Sequence, residues 1–161
     1  MHRPESNLWE LYVTYDEWKE EHDSLYERLL HLCRLMKWNP NNYEQQDWTA
    51  HHLEARRLLI PFMQAWKRHL DRERGTIYPF ARTLVPGGRM GPIGVLEQDS
   101  RIADQYYDAY LRVVEEGASP EKSLSYLLQV LMIVHEHFRI EEETIIPATE
   151  QLMREIEYSG S

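Results

Sequence analysis

HLDRERGTIYP occupies residues 69–79, and HFRIEEETIIP occupies residues 137–147. Aligned end to end, the two stretches share His69/His137, Glu73/Glu141, Thr76/Thr144, Ile77/Ile145 and Pro79/Pro147, and the match continues to Leu84/Leu152. Such a repeat reports one structural unit used twice. Each copy sets a histidine and a glutamate four residues apart. On a helix that spacing puts both side chains on one face, about 6 Å apart, close enough to address one metal ion or a metal pair. A solitary pair of this kind is ordinarily a solvated salt link. Two matched pairs on two helices are hard to produce by accident.

Working outward, the flanking sequence reads as helix. Leu11, Tyr15, Trp18, His22, Leu25, Leu29, Leu32 and Met36 step alternately by four and three. That is a heptad seam, the pattern of a helix packed in a bundle. Trp38-Asn39-Pro40 closes it, because the residue before proline avoids the helical region. A second helix is predicted from about Tyr43 to Tyr78, with Phe62, Trp66, His69, Glu73 and Ile77 on its inner stripe and a kink or restart at Pro61. VPGGRMGP (residues 85–92) reads as a loop, and a third helix runs from Ile93 to Glu116. Ser119 then supplies an N-cap and Pro120 a first helical residue. The fourth helix reaches about Met153, bent before Pro147. The first few residues and the terminal YSGS read as disordered. No segment alternates as a strand. The expected fold is all-α, an antiparallel up-down-up-down four-helix bundle. It forms a single domain over residues 1–161, with its core from about residue 8 to 155.

Composition narrows the function. Of 161 residues, 42% are apolar and 28% charged, the balance of a globular chain with one core. The formal charge of -9 disfavours nucleic acid, whose phosphates an acidic surface repels. The one cysteine, Cys33, leaves no internal disulfide and fits a reducing compartment. No apolar run is long enough for a membrane helix, and MHRPESNLWELY lacks the layout of a signal peptide. The expectation is a cytoplasmic protein that engages neither nucleic acid nor membrane.

His22 interrupts a seam of large apolar side chains, where an imidazole must find a partner or cost stability. Two helices carrying His-x-x-x-Glu and a third carrying His22 converge on one point in a bundle, as the ligands of bundle di-metal sites do. The candidate metal ligands are therefore His22, His69, Glu73, His137 and Glu141. Glu142 is a weaker alternative to Glu141, because the first copy has Arg74 at the matching place. Imidazole mixed with carboxylate suits iron, manganese or zinc. His51 and His52 lie about 27 Å from His69 along a helix axis and cannot share its metal. His31 falls on the face opposite His22, His135 is off the face of His137, and His2 is in the tail.

With EEHDSLYERL (residues 20–29), GPIGVLEQDS (91–100) and the two repeat copies in place, the chain resembles the hemerythrin-like family, or HHE cation-binding domain, from about Tyr15 to Met153. The resemblance implies an antiparallel four-helix bundle around an oxo- or hydroxo-bridged di-iron centre. It also implies work in oxygen binding or sensing, nitric oxide response, iron handling or peroxide chemistry, with O2, NO or peroxide as the small partner. By that resemblance His22 and His69 are terminal ligands of one iron, Glu73 and Glu141 bridge, and His137 is a terminal ligand of the other. One departure stands out. Where the family places Glu-His on the third helix, this chain has Asp99-Ser100, and that helix carries no histidine. Glu97, Asp99 or Asp104 could substitute, so the second position is carboxylate-rich, water-filled or empty. Tyr15 and Tyr26 flank His22 as core residues, although a tyrosine near iron can also donate an electron. Three readings compete: a centre that binds or senses a small oxidant, a ferritin-like oxidoreductase (peroxidase or ferroxidase), and a metal-free bundle acting as an interaction module.

Overall fold

The structure, a computed structural model, describes residues 4–36, 52–82 and 91–159. Among these residues there is no strand. Four helical rods account for nearly all of them: α1 (Pro4–Leu35), α2 (His52–Ala81), α3 (Pro92–Glu115), and a fourth rod made of α4 (Pro120–Ile140), one π-helical turn (Glu141–Ile145) and α5 (Ile146–Ser159). No helix among them is long and apolar enough to cross a membrane. α1 packs along α2, and α3 packs along α4.

The periodicities that predicted the rods also bury them. Every seam residue of α1 from Leu11 to Met36 is buried, as is the whole inner stripe of α2. Where α3 ends, Gly117 adopts φ 73°; its N–H bonds to the Val114 carbonyl at 3.1 Å, and the Ala118 N–H bonds to the Val113 carbonyl at 2.9 Å. This Schellman closure needs a residue that tolerates the left-handed conformation. Two residues on, the Ser119 hydroxyl accepts the Lys122 N–H at 3.4 Å and Pro120 opens α4, as the sequence predicts.

Several boundaries differ from expectation. α1 starts at Pro4, seven residues before its seam, and proline suits a first helical turn. α2 runs through both Pro61 and Pro79 to Ala81, because both rings face solvent. Tyr158 and Ser159, expected to be disordered, complete α5. Tyr12 Oη ties α1 to Glu157 there at 3.0 Å. The expected stop at Trp38–Pro40, the start near Tyr43, His2, His51 and most of the VPGGRMGP loop lie outside the described residues.

The core comes in two apolar clusters. One holds Leu25, Leu29, Phe62, Trp66, Ala103 and Phe138 among others. The second holds Leu11, Trp18, Ile77, Tyr78, Leu96 and Ile145 among others. Between them lies a layer of buried polar side chains, and each rod contributes. α1 gives His22, α2 gives His69 and Glu73, α3 gives Ser100, and the fourth rod gives His137 and Glu141. The repeated threonines serve these helices in the same way: Thr76 Oγ1 donates to the Arg72 carbonyl and Thr144 Oγ1 to the Ile140 carbonyl, each at 2.5 Å. Such bonds to the preceding turn bend helices. Only the second copy widens into a π turn, which starts at Glu141 itself. Turns of this type are frequent at functional sites.

Candidate metal centre

His22, His69, Glu73, His137 and Glu141 are each wholly buried, so water serves none of their polar atoms. Glu21 Oε1 sits 2.7 Å from His69 Nδ1, and Arg72 Nη1 holds the other Glu21 oxygen at 3.0 Å. A carboxylate acceptor puts the imidazole proton on Nδ1 and leaves the Nε2 lone pair facing inward. That Nε2 stands 2.8 Å from Glu73 Oε1. His137 Nε2 stands 2.8 Å from Glu141 Oε1 and 3.6 Å from Glu73 Oε2. Glu73 Oε1 also accepts the Trp18 indole N–H at 3.2 Å.

None of these short separations between a histidine Nε2 and a carboxylate has hydrogen-bond geometry. His69 Nε2, both His137 nitrogens, His22 Nε2, Glu73 Oε2 and both Glu141 oxygens are buried and without a hydrogen-bond partner, although some approach one another to 2.8 Å. Each such orphan costs roughly 1–3 kcal/mol. Two donors bound at about 2.1 Å and at right angles on one ion stand about 3 Å apart, so the spacing is that of adjacent ligands. Donor atoms of His69, Glu73 and Glu141 all lie within 4.8 Å of one another. His137 closes on the same carboxylates, and His22 lies beside them, its ring centroid 6.1 Å from that of His69. Buried imidazoles and carboxylates with unspent lone pairs fit a transition-metal cation.

Charge follows the same geometry. Burial pushes His22 down to about 4, which keeps it neutral and able to ligate. Burial also opposes a charged His137, but Glu141 and Glu73 outweigh it and lift the imidazole to about 10. Burial and the neighbouring Glu73 charge raise Glu141. Burial works against Glu73 too, yet His137 and His69 hold it ionised, well below the carboxylate range. Without a cation, this cluster shares protons that a metal would displace.

The third rod supplies less. Ser100 is buried, but its hydroxyl donates to the Glu97 carbonyl at 2.8 Å and accepts from Arg74 at 3.3 Å. Glu97 is paired with Arg82, and Asp104 with Lys67 at 2.6 Å. Asp99 is half-buried, free of ion pairs, and feels the charge of His137. Of the remaining expectations, Glu142 is exposed whereas Glu141 is buried, and His31 is exposed. His135 packs on Tyr26, with ring centroids 6.1 Å apart, and His52 bonds to Tyr110 Oη at 2.8 Å.

The family model of the hemerythrin HHE cation binding domain matches residues 13–149, most of the chain and all five converging residues. The chain belongs to the hemerythrin HHE family. No curated protein and no solved structure matches it. In this HHE domain, three residues around the site escaped sequence reading. Trp18 looked like one more seam aromatic, although its indole reaches Glu73. Glu21 sits one residue before His22, and nothing along the chain shows that it reaches across to His69. Tyr78 follows the inner-stripe Ile77, yet its hydroxyl is buried without a partner. Burial, then the charges of Glu73 and Glu141, push its phenol well above the ordinary value.

Proposed function

We propose that this HHE domain holds a non-haem di-iron pair and binds, senses or reduces a small oxidant such as O2, NO or peroxide. One observation carries the two-metal reading: the Glu73 carboxylate turns Oε1 toward His69 and Oε2 toward His137, as a bridging carboxylate must. His22 and His69 then serve one position, His137 the other, and Glu141 bridges beside Glu73. Tyr78 is the buried group best placed to complete the position that α3 leaves short, with Asp99 as the exposed-side alternative. A bound cation reverses the local preference and favours the phenolate. Iron supplies one-electron chemistry toward the oxidant. The protein holds the donors fixed and dry, and Glu21 orients His69. The antiparallel alternation of the rods is part of this reading. It is supported by the order in which each chain segment passes the two clusters: α1 and α3 leave the second for the first, and α2 and the fourth rod return.

Protein purified without added metal is expected to contain iron by elemental analysis, to show a ferric optical spectrum, and to melt at a lower temperature after chelation. His69→Ala and Glu73→Ala lose most of the metal, whereas His52→Ala retains it. Tyr78→Phe loses the visible iron–phenolate band. Metal-free protein whose melting ignores chelators sinks the centre. An unchanged spectrum in Tyr78→Phe leaves Asp99 as the completing group.

A further inference from the structure

Trp18 touches three of the five converging side chains. Its indole N–H bonds to Glu73 at 3.2 Å, its ring stacks on His69 (centroids 5.7 Å, planes 12° apart), and it leans on His22 at 5.1 Å. Three residues earlier in α1 lies Tyr15, its ring centroid 6.0 Å from that of Trp18. Tyr15 in turn donates its phenol to Glu150 Oε1 at 2.7 Å. Both rings are buried, Trp18 fully and Tyr15 at 5% exposure, while Glu150 is half-buried. Separations of about 4.5–7 Å between centroids are those of rings in direct contact. The result is a continuous line of oxidisable rings from the ligand set outward, ending on a phenol that already has a carboxylate to take its proton.

Among the described residues, no other aromatic near the site has these features together. Tyr26 is reached from His22 only through Phe138, at 4.9 and 5.5 Å, and a phenylalanine ring resists oxidation. Trp66 meets His137 edge-on at 5.4 Å, but its indole N–H has no partner and no tyrosine ring is stacked beyond it. Tyr78 faces the ligand carboxylates Glu73 and Glu141 themselves rather than a separate base.

We infer that Trp18 and Tyr15 form an electron relay that delivers a reducing equivalent to the metal centre and carries the oxidising hole away from it. The inference rests on the iron reading above. With hydrogen peroxide as oxidant the step balances. The peroxide O–O bond breaks, and two electrons and two solvent protons convert it to two waters. With one iron of the pair already ferric, one electron leaves the remaining ferrous ion, which becomes ferric. The other leaves Tyr15 by way of Trp18, and the Tyr15 phenolic proton passes to Glu150. Tyr15 is left as a neutral phenoxyl radical, and Trp18 ends unchanged, its N–H still on Glu73.

The test treats protein carrying a half-oxidised iron pair, one ferrous and one ferric, with hydrogen peroxide, freezes it for electron paramagnetic resonance, and in parallel adds a nitroso spin trap and locates the adduct by mass spectrometry. Iron content is measured on every sample, so that loss of the centre is told apart from loss of the relay. A tyrosyl signal with the adduct on Tyr15 is expected. Tyr15→Phe, which keeps the ring, retains iron and moves the adduct to Trp18. Trp18→Phe retains iron and removes the Tyr15 adduct. Glu150→Gln lowers the radical yield several-fold. An iron-replete protein whose adduct falls on Tyr26 or Tyr78, or whose Tyr15 adduct survives Trp18→Phe, overturns the relay. Absence of iron overturns both readings together.

Discussion

His22 and His137 are two imidazoles in one layer with opposite proton preferences, and the difference is local. His22 meets apolar rings, Trp18 and Phe138 at 5.1 and 4.9 Å, and one exposed carboxylate, Asp23, only at 3.4 Å, whereas His137 meets two buried carboxylates. The position of both was legible in the sequence, because helical period alone places them inward. Their protonation was not, because it depends on which side chains arrive from other helices. A consequence can be measured on metal-free protein. Free histidine titrates near 6.5, and folded His22 near 4. Between those values the unfolded chain binds the extra proton, so acid favours unfolding, and the contribution is whole above pH 6.5 and lost as pH falls through 4. His22→Gln removes it. The stability of wild type relative to this variant should therefore fall by roughly 3 kcal/mol between pH 7 and pH 4. Denaturant titrations across that range that keep a constant difference would contradict it.

Helix boundaries show how far element-scale signals reach. Ser119–Pro120 was readable, because N-caps and first helical turns favour few residue types. The helix expected to end near Tyr78 continues through Pro79 to Ala81, because a proline on the solvent face costs it one hydrogen bond and little more here. The π turn could not be foreseen, since α2 passes the matching Thr-Ile-x-Pro run as ordinary α-helix; the two copies give no physical reason for the difference. Two glycines make the element-level energetics testable with one kind of substitution. Gly75 lies exposed inside α2, with open space where a Cβ would go, and alanine there should stabilise by about 0.5–1 kcal/mol. Gly117, at φ +73°, should lose about 1 kcal/mol or more on the same change. Thermal melts of the two variants should move in opposite directions with metal content unaltered. Shifts of the same sign would mean the α3–α4 closure is not as described.

Seen whole, the molecule answers its sequence closely where the repeat and the seam spoke, and departs where contacts between rods decide. The sequence named the layer but not its neighbours, and left open what replaces a histidine at Ser100, which now proves to be held by Arg74 and the Glu97 carbonyl. The same layer divides the apolar interior into a larger and a smaller block. Without a cation the side chains of the layer share protons across it, and a cation that displaced those protons would join the rods directly. A bundle so loaded is riveted rather than glued at its middle. With ions present, amide protons of both blocks should exchange with solvent through one global opening. After chelation the smaller block, built from the start of α1, the end of α2, the start of α3 and α5, should exchange first, while α1 beyond Leu25 and α4 stay protected. Exchange that remains uniform after chelation would show that the two blocks hold together without the joint.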